Sequence, residues 1–220
     1  MFKDLKQEFG TWCIRTIQKY GPHSVSVLGK TYEISEDVFN PKYYITSEFM
    51  ATHINSGPGD MVLDMGTGSG IQAITAAQRG GRVVAVDINP EAVKCARRNA
   101  ALNGVEDRVL VLLGDLFSPL SNEDRFDIIL FTPPYLKGFV KTHFDHALFD
   151  HDKTLALRFF QEANRHIKEN GYVQMIYSSI AEPEKILKIA NELGWKYAVI
   201  ARKKRAFEEF IIYKLTRLSK

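Results

Sequence analysis

From about residue 60 onward, short apolar runs alternate along the chain with segments of helical periodicity. The runs carry Val, Ile and Leu at consecutive positions, which is typical of strands buried on both faces of a parallel sheet. The segments between them repeat their apolar residues every three or four positions, which indicates amphipathic helices. The alternation predicts a doubly wound α/β fold, with helices on both faces of a mostly parallel sheet. The predicted strands are MVLD (61–64), RVVAVD (82–87), RVLVLL (108–113), FDIILF (126–131) and YVQMIY (172–177). The predicted helices are IQAITAAQR (71–79), PEAVKCARRNAALN (90–103), KTLALRFFQEANRHIK (153–168) and PEKILKIANEL (183–193).

The end of the chain follows a different pattern, with two apolar runs and no helix between them. These runs are WKYAVIARKK (195–204) and FEEFIIYKLT (207–216), and only a short turn separates them. Strands joined so closely must pair in antiparallel fashion. We therefore expect a seven-stranded sheet that finishes with an antiparallel edge pair.

The first 45 residues do not share the alternation of the main fold. Apolar residues at helical spacing predict a helix over residues 4–19, and SVSVLGKTYEIS (24–35) predicts a β-hairpin with its turn at Gly29-Lys30. A short helix is expected around residues 46–55. We interpret residues 1–45 as an accessory helix and hairpin, and residues 46–220 as the principal domain.

Composition narrows the class of protein. Apolar residues make up 45% of the 220 positions and charged residues 25%, the usual balance of a globular protein. The net charge of +3 is too small to indicate nucleic acid binding by itself. The two cysteines, Cys13 and Cys95, are too far apart for a metal-ligand pair and favour a reducing compartment. No apolar run approaches the roughly 20 residues of a spanning helix, and the N-terminus lacks a signal-peptide core. We expect a cytoplasmic protein without a membrane partner, whose oligomeric state the sequence does not indicate.

The turn after the first core strand is rich in glycine and begins with a carboxylate. In VLDMGTGSG (62–70) the glycines let the backbone turn tightly and approach a ligand at the start of the next helix. The spacing is G-x-G-x-G with Ile71 following, and it departs from the G-x-G-x-x-G/A fingerprint of dinucleotide sites. Asp64 would repel a pyrophosphate but can accept a hydrogen bond from an ammonium group. The candidate ligand-binding residues here are Asp64, Gly66, Thr67, Gly68 and Gly70.

Two further strands end in aspartates that complete this pattern. Asp87 lies where an acidic side chain accepts both ribose hydroxyls of a nucleoside, and Asp115 could accept from an adenine amino group. Each aspartate alone has a structural interpretation as a turn or N-cap residue. Together they indicate a ligand with an ammonium group, a ribose and an adenine but no phosphate, which is S-adenosylmethionine. The candidate residues added here are Asp87, Ile88, Asp115 and Leu116.

At this point the sequence resembles a known family. VLDMGTGSG, VVAVDINPEAVKCARRNAALNG, GDLF and FTPPY, in that order, are similar to the class I S-adenosylmethionine-dependent methyltransferases. The resemblance extends over about residues 38–215 and is closest to the HemK/PrmC-like branch, which methylates the side-chain amide of a glutamine in release factors. It implies a Rossmann-like methyltransferase fold and this activity.

The tetrapeptide after the fourth core strand, Thr132-Pro133-Pro134-Tyr135, is the candidate acceptor site. In the resembled family it is usually Asn-Pro-Pro-Tyr, and related enzymes acting on exocyclic base amines carry Asp or Ser first. The first side chain and the first proline's carbonyl can each accept one N–H of a planar nitrogen, and the tyrosine can stack on it. We predict Thr132, Pro133 and Tyr135 as catalytic residues, with Thr132 also at the cofactor. This chain departs from the family at Thr132, whose hydroxyl both donates and accepts.

Two other polar segments have open interpretations. KGFVKTHFDHALFDHD (137–152) contains three histidines and three aspartates without the spacing of a defined metal site, so we expect a polar pocket wall and no metal. Arg202-Lys203-Lys204-Arg205 is either solvated charge or a phosphate contact on RNA.

The sequence thus predicts an S-adenosylmethionine-dependent N-methyltransferase. A release-factor-like protein substrate is favoured over rRNA or tRNA, because the net charge is small and the last third of the chain resembles the glutamine-modifying branch. An exocyclic base amine as target, and an inactive methyltransferase-like binding subunit, stay open as alternatives.

Overall fold

A computed structural model describes residues 14–16, 18–136 and 138–218, apart from the side chain of His151. Nine strands and five α-helices are named below within this part of the chain. The strands are β1 (Ser24–Val27), β2 (Lys30–Glu33), β3 (Met61–Met65), β4 (Arg82–Asp87), β5 (Val109–Leu113), β6 (Phe126–Phe131), β7 (Ile167–Ser178), β8 (Trp195–Arg205) and β9 (Glu208–Arg217). The helices are α1 (Ile45–Thr52), α2 (Ile71–Gln78), α3 (Pro90–Leu102), α4 (Thr154–His166) and α5 (Pro183–Glu192).

The principal sheet has seven strands in the order β5-β4-β3-β6-β7-β9-β8. Strands β3 to β7 pair in parallel, and β9 pairs antiparallel with both β7 and β8. This confirms the doubly wound fold and the antiparallel edge pair. The predicted elements agree with the structure to within a few residues. The largest difference is in β7, which begins five residues before the predicted run at Tyr172.

Apolar side chains cover both faces of this sheet. One core cluster joins the sheet to α1, α2 and α3 through residues such as Met50, Ile74 and Ala96. The other joins the opposite face to α4 and α5 through Phe159 and Ile186, among others. Because helices cover both faces, the ligand-accessible part of the sheet is the edge where the strands end.

The N-terminal hairpin packs on the first of these faces. Val25, Val27 and Tyr32 alternate into the core shared with α1–α3, as expected for a strand pair with one buried face. The turn lies at Leu28-Gly29 and so includes the predicted glycine; the φ values of 51° and 72° are in the left-handed region that a tight hairpin turn requires. The division of the chain at residue 45 stays a prediction.

The helix predicted over residues 4–19 falls mostly outside the described residues. Residues 14–16 and 18–20 are helical. No helix in the described part of the chain is long and apolar enough to cross a membrane.

Candidate active site

A cleft of about 280 Å³ opens at the carboxyl ends of β3, β4, β5 and β6. The connection from β5 to β6 crosses over β3, so the sheet changes winding direction between β3 and β6, which is where open α/β sheets bind ligands. Every predicted site residue except Gly70 lines this cleft. They are Asp64, Gly66, Thr67, Gly68, Asp87, Ile88, Asp115, Leu116, Thr132, Pro133 and Tyr135.

The glycine loop passes from β3 into α2 and forms the floor of the cleft. Gly66 and Gly68 have φ values of 74° and 55°, in the left-handed region where a side chain would be strained. Gly70, at φ 85°, lies outside the cleft and caps α2. A Cβ on Gly70 would lie 3.3 Å from the Cα and Cβ of Ala96, so this glycine serves the close packing of α2 on α3. The contact of Gly70 with a cofactor stays a prediction.

Asp64 lies at the base of the loop and is almost completely buried. Its Oδ2 accepts hydrogen bonds from the Thr67 hydroxyl at 2.7 Å and from the Ala73 backbone N–H at 3.1 Å. Burial and, to a smaller degree, the nearby charge of Asp87 raise the pKa of Asp64 to about 7, against the opposing effect of these two donors. The carboxyl group is therefore poised to ionise fully when a cation enters the cleft.

Asp87 ends β4 and is held by backbone donors on both oxygens. Oδ2 accepts from the N–H of Gly68 at 2.8 Å, and Oδ1 accepts from the N–H of Asn89 at 2.9 Å. Burial raises the pKa of Asp87, while these hydrogen bonds and the charge of His146 lower it. Since a carboxylate oxygen has two lone pairs, each oxygen can still accept one donor from a ligand.

Asp115, after β5, has a partner that the sequence analysis did not foresee. Its Oδ2 lies 2.8 Å from Nη2 of Arg158 on α4, and both side chains are partly exposed. Because Arg158 binds Oδ2, the other oxygen, Oδ1, can still accept a hydrogen bond from a ligand. Leu116 follows with φ 49° and is buried at the cleft wall.

The acceptor tetrapeptide leaves the sheet at the end of β6. Thr132 is half-buried, and no hydrogen bond engages its hydroxyl within the described part of the chain. Pro133 and Pro134 are buried, so the backbone here is fixed by both ring geometry and packing. The ring of Tyr135 meets that of Tyr177 edge-on, with centroids 5.9 Å apart. Burial raises the pKa of Tyr135, which keeps its hydroxyl neutral.

The segment after the tetrapeptide lines the cleft, and two of its aspartates accept hydrogen bonds from nearby backbone N–H groups. Asp145 is completely buried and accepts from the N–H groups of Lys141 and Thr142. Asp150 accepts from two N–H groups in the first turn of α4, at Leu155 and Ala156. These aspartates stabilise the segment itself. Among the described residues, no group of three or more His, Cys, Asp or Glu is placed to hold a metal ion.

Two histidines of this segment face the cleft, unlike the two aspartates just described. His143 and His146 both line the cleft, with ring centroids 6.5 Å apart. They lie on a short 3-10 helix, His143–Ala147, whose first turn carries a capping box formed by Thr142 and Asp145. The polar wall expected from the sequence is therefore present.

Asn99 on α3 was not among the predicted residues, although it holds the glycine loop. It is fully buried, and its Nδ2 donates to the carbonyl of Ser69 in the loop and to that of Glu33 in β2, both at 2.9 Å. Its Oδ1 accepts from the Glu33 N–H at 2.8 Å. The sequence signal for this role was an asparagine on the buried, alanine-rich face of a helix, since a buried polar side chain needs hydrogen-bond partners.

Comparison with known proteins agrees with the resemblance found in the sequence. The model of the family described as methyltransferase small domain matches residues 36–208. A Methanocaldococcus jannaschii protein, provisionally named a protein N5-glutamine methyltransferase, is 37% identical over 164 residues, which cover 71% of this chain and 81% of that protein. The ribosomal RNA large subunit methyltransferase G of Shewanella amazonensis is 32% identical over 138 residues, covering 61% of this chain. The match spans only 33% of that longer enzyme.

A solved structure supports the fold. The T. thermophilus 16S rRNA N2 G1207 methyltransferase, determined with AdoMet and guanosine, aligns with a TM-score of 0.68 at 22% identity. The alignment covers 88% of this chain and 50% of that one. At this identity the likeness establishes a Rossmann-like methyltransferase fold.

Proposed function

The chain belongs to the methyltransferase small domain family and is an S-adenosylmethionine-dependent N-methyltransferase, and we propose that it methylates the side-chain amide nitrogen of a glutamine in a protein. The observation that carries the proposal is the cleft itself. It is lined by three strand-end carboxylates and a glycine loop, together with a rigid Pro-Pro turn that carries a threonine hydroxyl and an aromatic ring.

The donor set of the cleft fits S-adenosylmethionine. Asp64, buried with one oxygen already satisfied by protein donors, matches the ammonium of the methionine part. Asp87 retains one accepting position on each oxygen, which matches the two ribose hydroxyls. Asp115 lies in the lining beside them as an acceptor for the adenine amino group. Gly66 and Gly68 leave the space above the loop clear, since a Cβ on either would meet no atom within 4 Å.

The tetrapeptide prepares the target nitrogen. The cofactor, when bound, supplies an electrophilic methyl group. An amide nitrogen is a weak nucleophile because its lone pair is delocalised into the carbonyl. The Thr132 hydroxyl and the Pro133 carbonyl accept its two N–H groups, which directs the lone pair toward the cofactor and stabilises the positive charge that grows during transfer. Tyr135 packs against the flat face of the amide. The buried prolines keep these acceptors fixed at little entropic cost.

A glutamine is favoured over a nucleic acid base for two reasons. The Methanocaldococcus jannaschii relative, which matches this chain over 81% of its own length, is provisionally named for glutamine methylation. The net charge is only +3, whereas binding to a phosphate backbone favours a strongly basic face. A release-factor-like protein is the substrate that the sequence resemblance suggests, and the reaction would take place in the cytoplasm.

An exocyclic base amine of rRNA or tRNA is the second candidate, supported by one feature of the structure. The tip of the β8–β9 hairpin carries Lys204 and Arg205, with neither in an ion pair among the described residues, next to the fully exposed ring of Phe207. Basic side chains beside an exposed aromatic ring are suited to single-stranded nucleic acid.

The experiment that separates these candidates uses labelled cofactor and a cell extract. The purified chain is incubated with both, and the macromolecular label is then treated with protease or with RNase. Label released by protease supports the proposal, whereas label released only by RNase supports the base amine. Absence of any transfer would support the inactive binding subunit. In the same assay, Thr132→Val removes the hydroxyl at nearly constant shape and should abolish transfer.

A further inference from the structure

The helical residues 14–16 and 18–20 lie against both walls of the cleft on its Asp87 side. One wall is the 3-10 helix His143–Ala147, and the other is the loop that leads from the hairpin into α1. Neither wall belongs to the parallel sheet, so neither is fixed by the strand ladder. Each one instead contacts a side chain of the N-terminal helix, Arg15 or Gln18.

Arg15 holds the first wall. Its Nη2 lies 2.6 Å from Oδ1 of Asp145, which is completely buried, whereas the arginine side chain is 47% exposed. The other oxygen of Asp145 accepts from the N–H groups of Lys141 and Thr142, both at 3.0 Å. A buried carboxylate that loses its cation keeps its charge in a poorly solvated position, which is costly. The Arg15 guanidinium therefore stabilises the position of this segment along the cleft, including that of His146 in the lining.

Gln18 holds the second wall. This glutamine is buried, and its Nε2 donates to the carbonyls of Ser35 and Val38. Its Oε1 accepts from the N–H of Asn40 at 3.1 Å. Both polar atoms of the carboxamide head thus engage the backbone of the lead-in loop, three of whose residues, Asp37, Val38 and Phe39, line the cleft.

The second wall is also connected to the site from within. The Asn89 side chain donates to the carbonyl of Asp37 at 2.7 Å, while the Asn89 N–H binds Oδ1 of Asp87. Asp37 lies next to Val38, which Gln18 holds. Hydrogen bonds joined by the Asp37–Val38 backbone therefore connect the N-terminal helix to the carboxylate assigned to the ribose.

We propose that this helix is a clamp, in which Arg15 and Gln18 are positioning residues that hold the two walls closed around the nucleoside part of the cofactor. The inference rests on the proposed cofactor site and assigns the accessory segment a part in it. Neither residue touches the reacting atoms. Binding of the cofactor and closure of the clamp must then favour each other reciprocally.

The test measures the affinity for S-adenosylhomocysteine by titration calorimetry. Arg15→Met and Gln18→Leu should each weaken binding by at least about fivefold, the lower end of usual coupling between sites. Arg15→Lys should recover most of the affinity, because it restores the cation. The control is Lys168→Met, which removes a 2.7 Å ion pair with Asp127 at the opposite end of the sheet. It should change affinity less than about twofold, within the usual range for a surface pair.

Hydrogen exchange provides a second measurement that needs no variant. In the unaltered protein, S-adenosylhomocysteine should slow exchange of the Lys141 and Thr142 amides, which bind Asp145. Failure of the ligand to protect these amides would overturn the clamp, as would wild-type affinity in Arg15→Met. If instead Asp87→Ala also binds normally, the cofactor site itself is wrong. Weak binding in Asp87→Ala with normal binding in Arg15→Met would contradict the clamp alone.

Discussion

Replacing Asp87 with alanine tests the cofactor site at the point where its geometry is best defined. Each Asp87 oxygen accepts one backbone N–H, from Gly68 and from Asn89, and retains one lone pair for a ribose hydroxyl. A hydrogen bond to a charged group contributes about 1.5 kcal/mol or more. Loss of two such bonds should cost about 3 kcal/mol, which corresponds to roughly a 150-fold weaker Kd for S-adenosylhomocysteine.

The matched control for this substitution is Asp127→Ala. Asp127 lies on β6, which β3 separates from β4 in the same sheet, and it also accepts a backbone N–H, from Met61 at 2.8 Å, but at the opposite end of the strands. Titration calorimetry on both variants separates loss of the ligand contact from loss of strand support. If Asp87→Ala binds within about threefold of the unaltered protein, or if Asp127→Ala loses as much affinity, the ribose assignment is refuted.

Four further expectations concern Asp64, Asp115 and Thr132. Because burial holds the pKa of Asp64 at about 7, affinity for S-adenosylmethionine should fall as the pH drops from about 7.5 to about 6, and calorimetry on Asp64→Asn should show a flatter profile. In the cofactor-free protein, the folded state keeps a proton on Asp64 that the unfolded chain loses above about pH 4. The contribution of Asp64 to the free energy of unfolding should therefore fall as the pH rises from about 4 to 7, which denaturant unfolding at several pH values can measure. Asp115→Ala should weaken S-adenosylhomocysteine binding by less than about tenfold, since this carboxylate is partly exposed and already paired with Arg158. A loss as large as that in Asp87→Ala would contradict the smaller role assigned to Asp115. Thr132→Val should abolish methyl transfer and leave cofactor affinity within about twofold, and full activity would show that the hydroxyl does not orient the nitrogen.

The arrangement of the strand-end carboxylates could be predicted from the sequence because it depends on local pattern. Runs of buried apolar residues locate the strands, and parallel strands all end at one edge of the sheet. Asp64, Asp87 and Asp115 therefore had to meet, and the structure brings all three into one cleft. The position of Thr132 at this edge could be predicted in the same way, because it directly follows the buried run of β6.

The contacts that sequence reasoning missed are those between distant segments. Arg158 pairs with Asp115 across 43 positions, and Arg15 pairs with Asp145 across 130. No periodicity links such residues, since only the folded sheet and its helices bring them together. The packing of Gly70 against Ala96 was missed for a related reason, since Ala96 belongs to another helix.

The most direct test of the central claim is the chemical identity of the methylated product. After transfer from cofactor labelled in the methyl group, the protein fraction is hydrolysed in strong acid, which cleaves a side-chain amide. A methylated glutamine must then release its label as methylamine, because the methyl group is bound to the amide nitrogen. We predict labelled methylamine from the unaltered chain and none from Thr132→Val. Label recovered in a methylated nucleobase, or in any amino acid that survives hydrolysis, would contradict it.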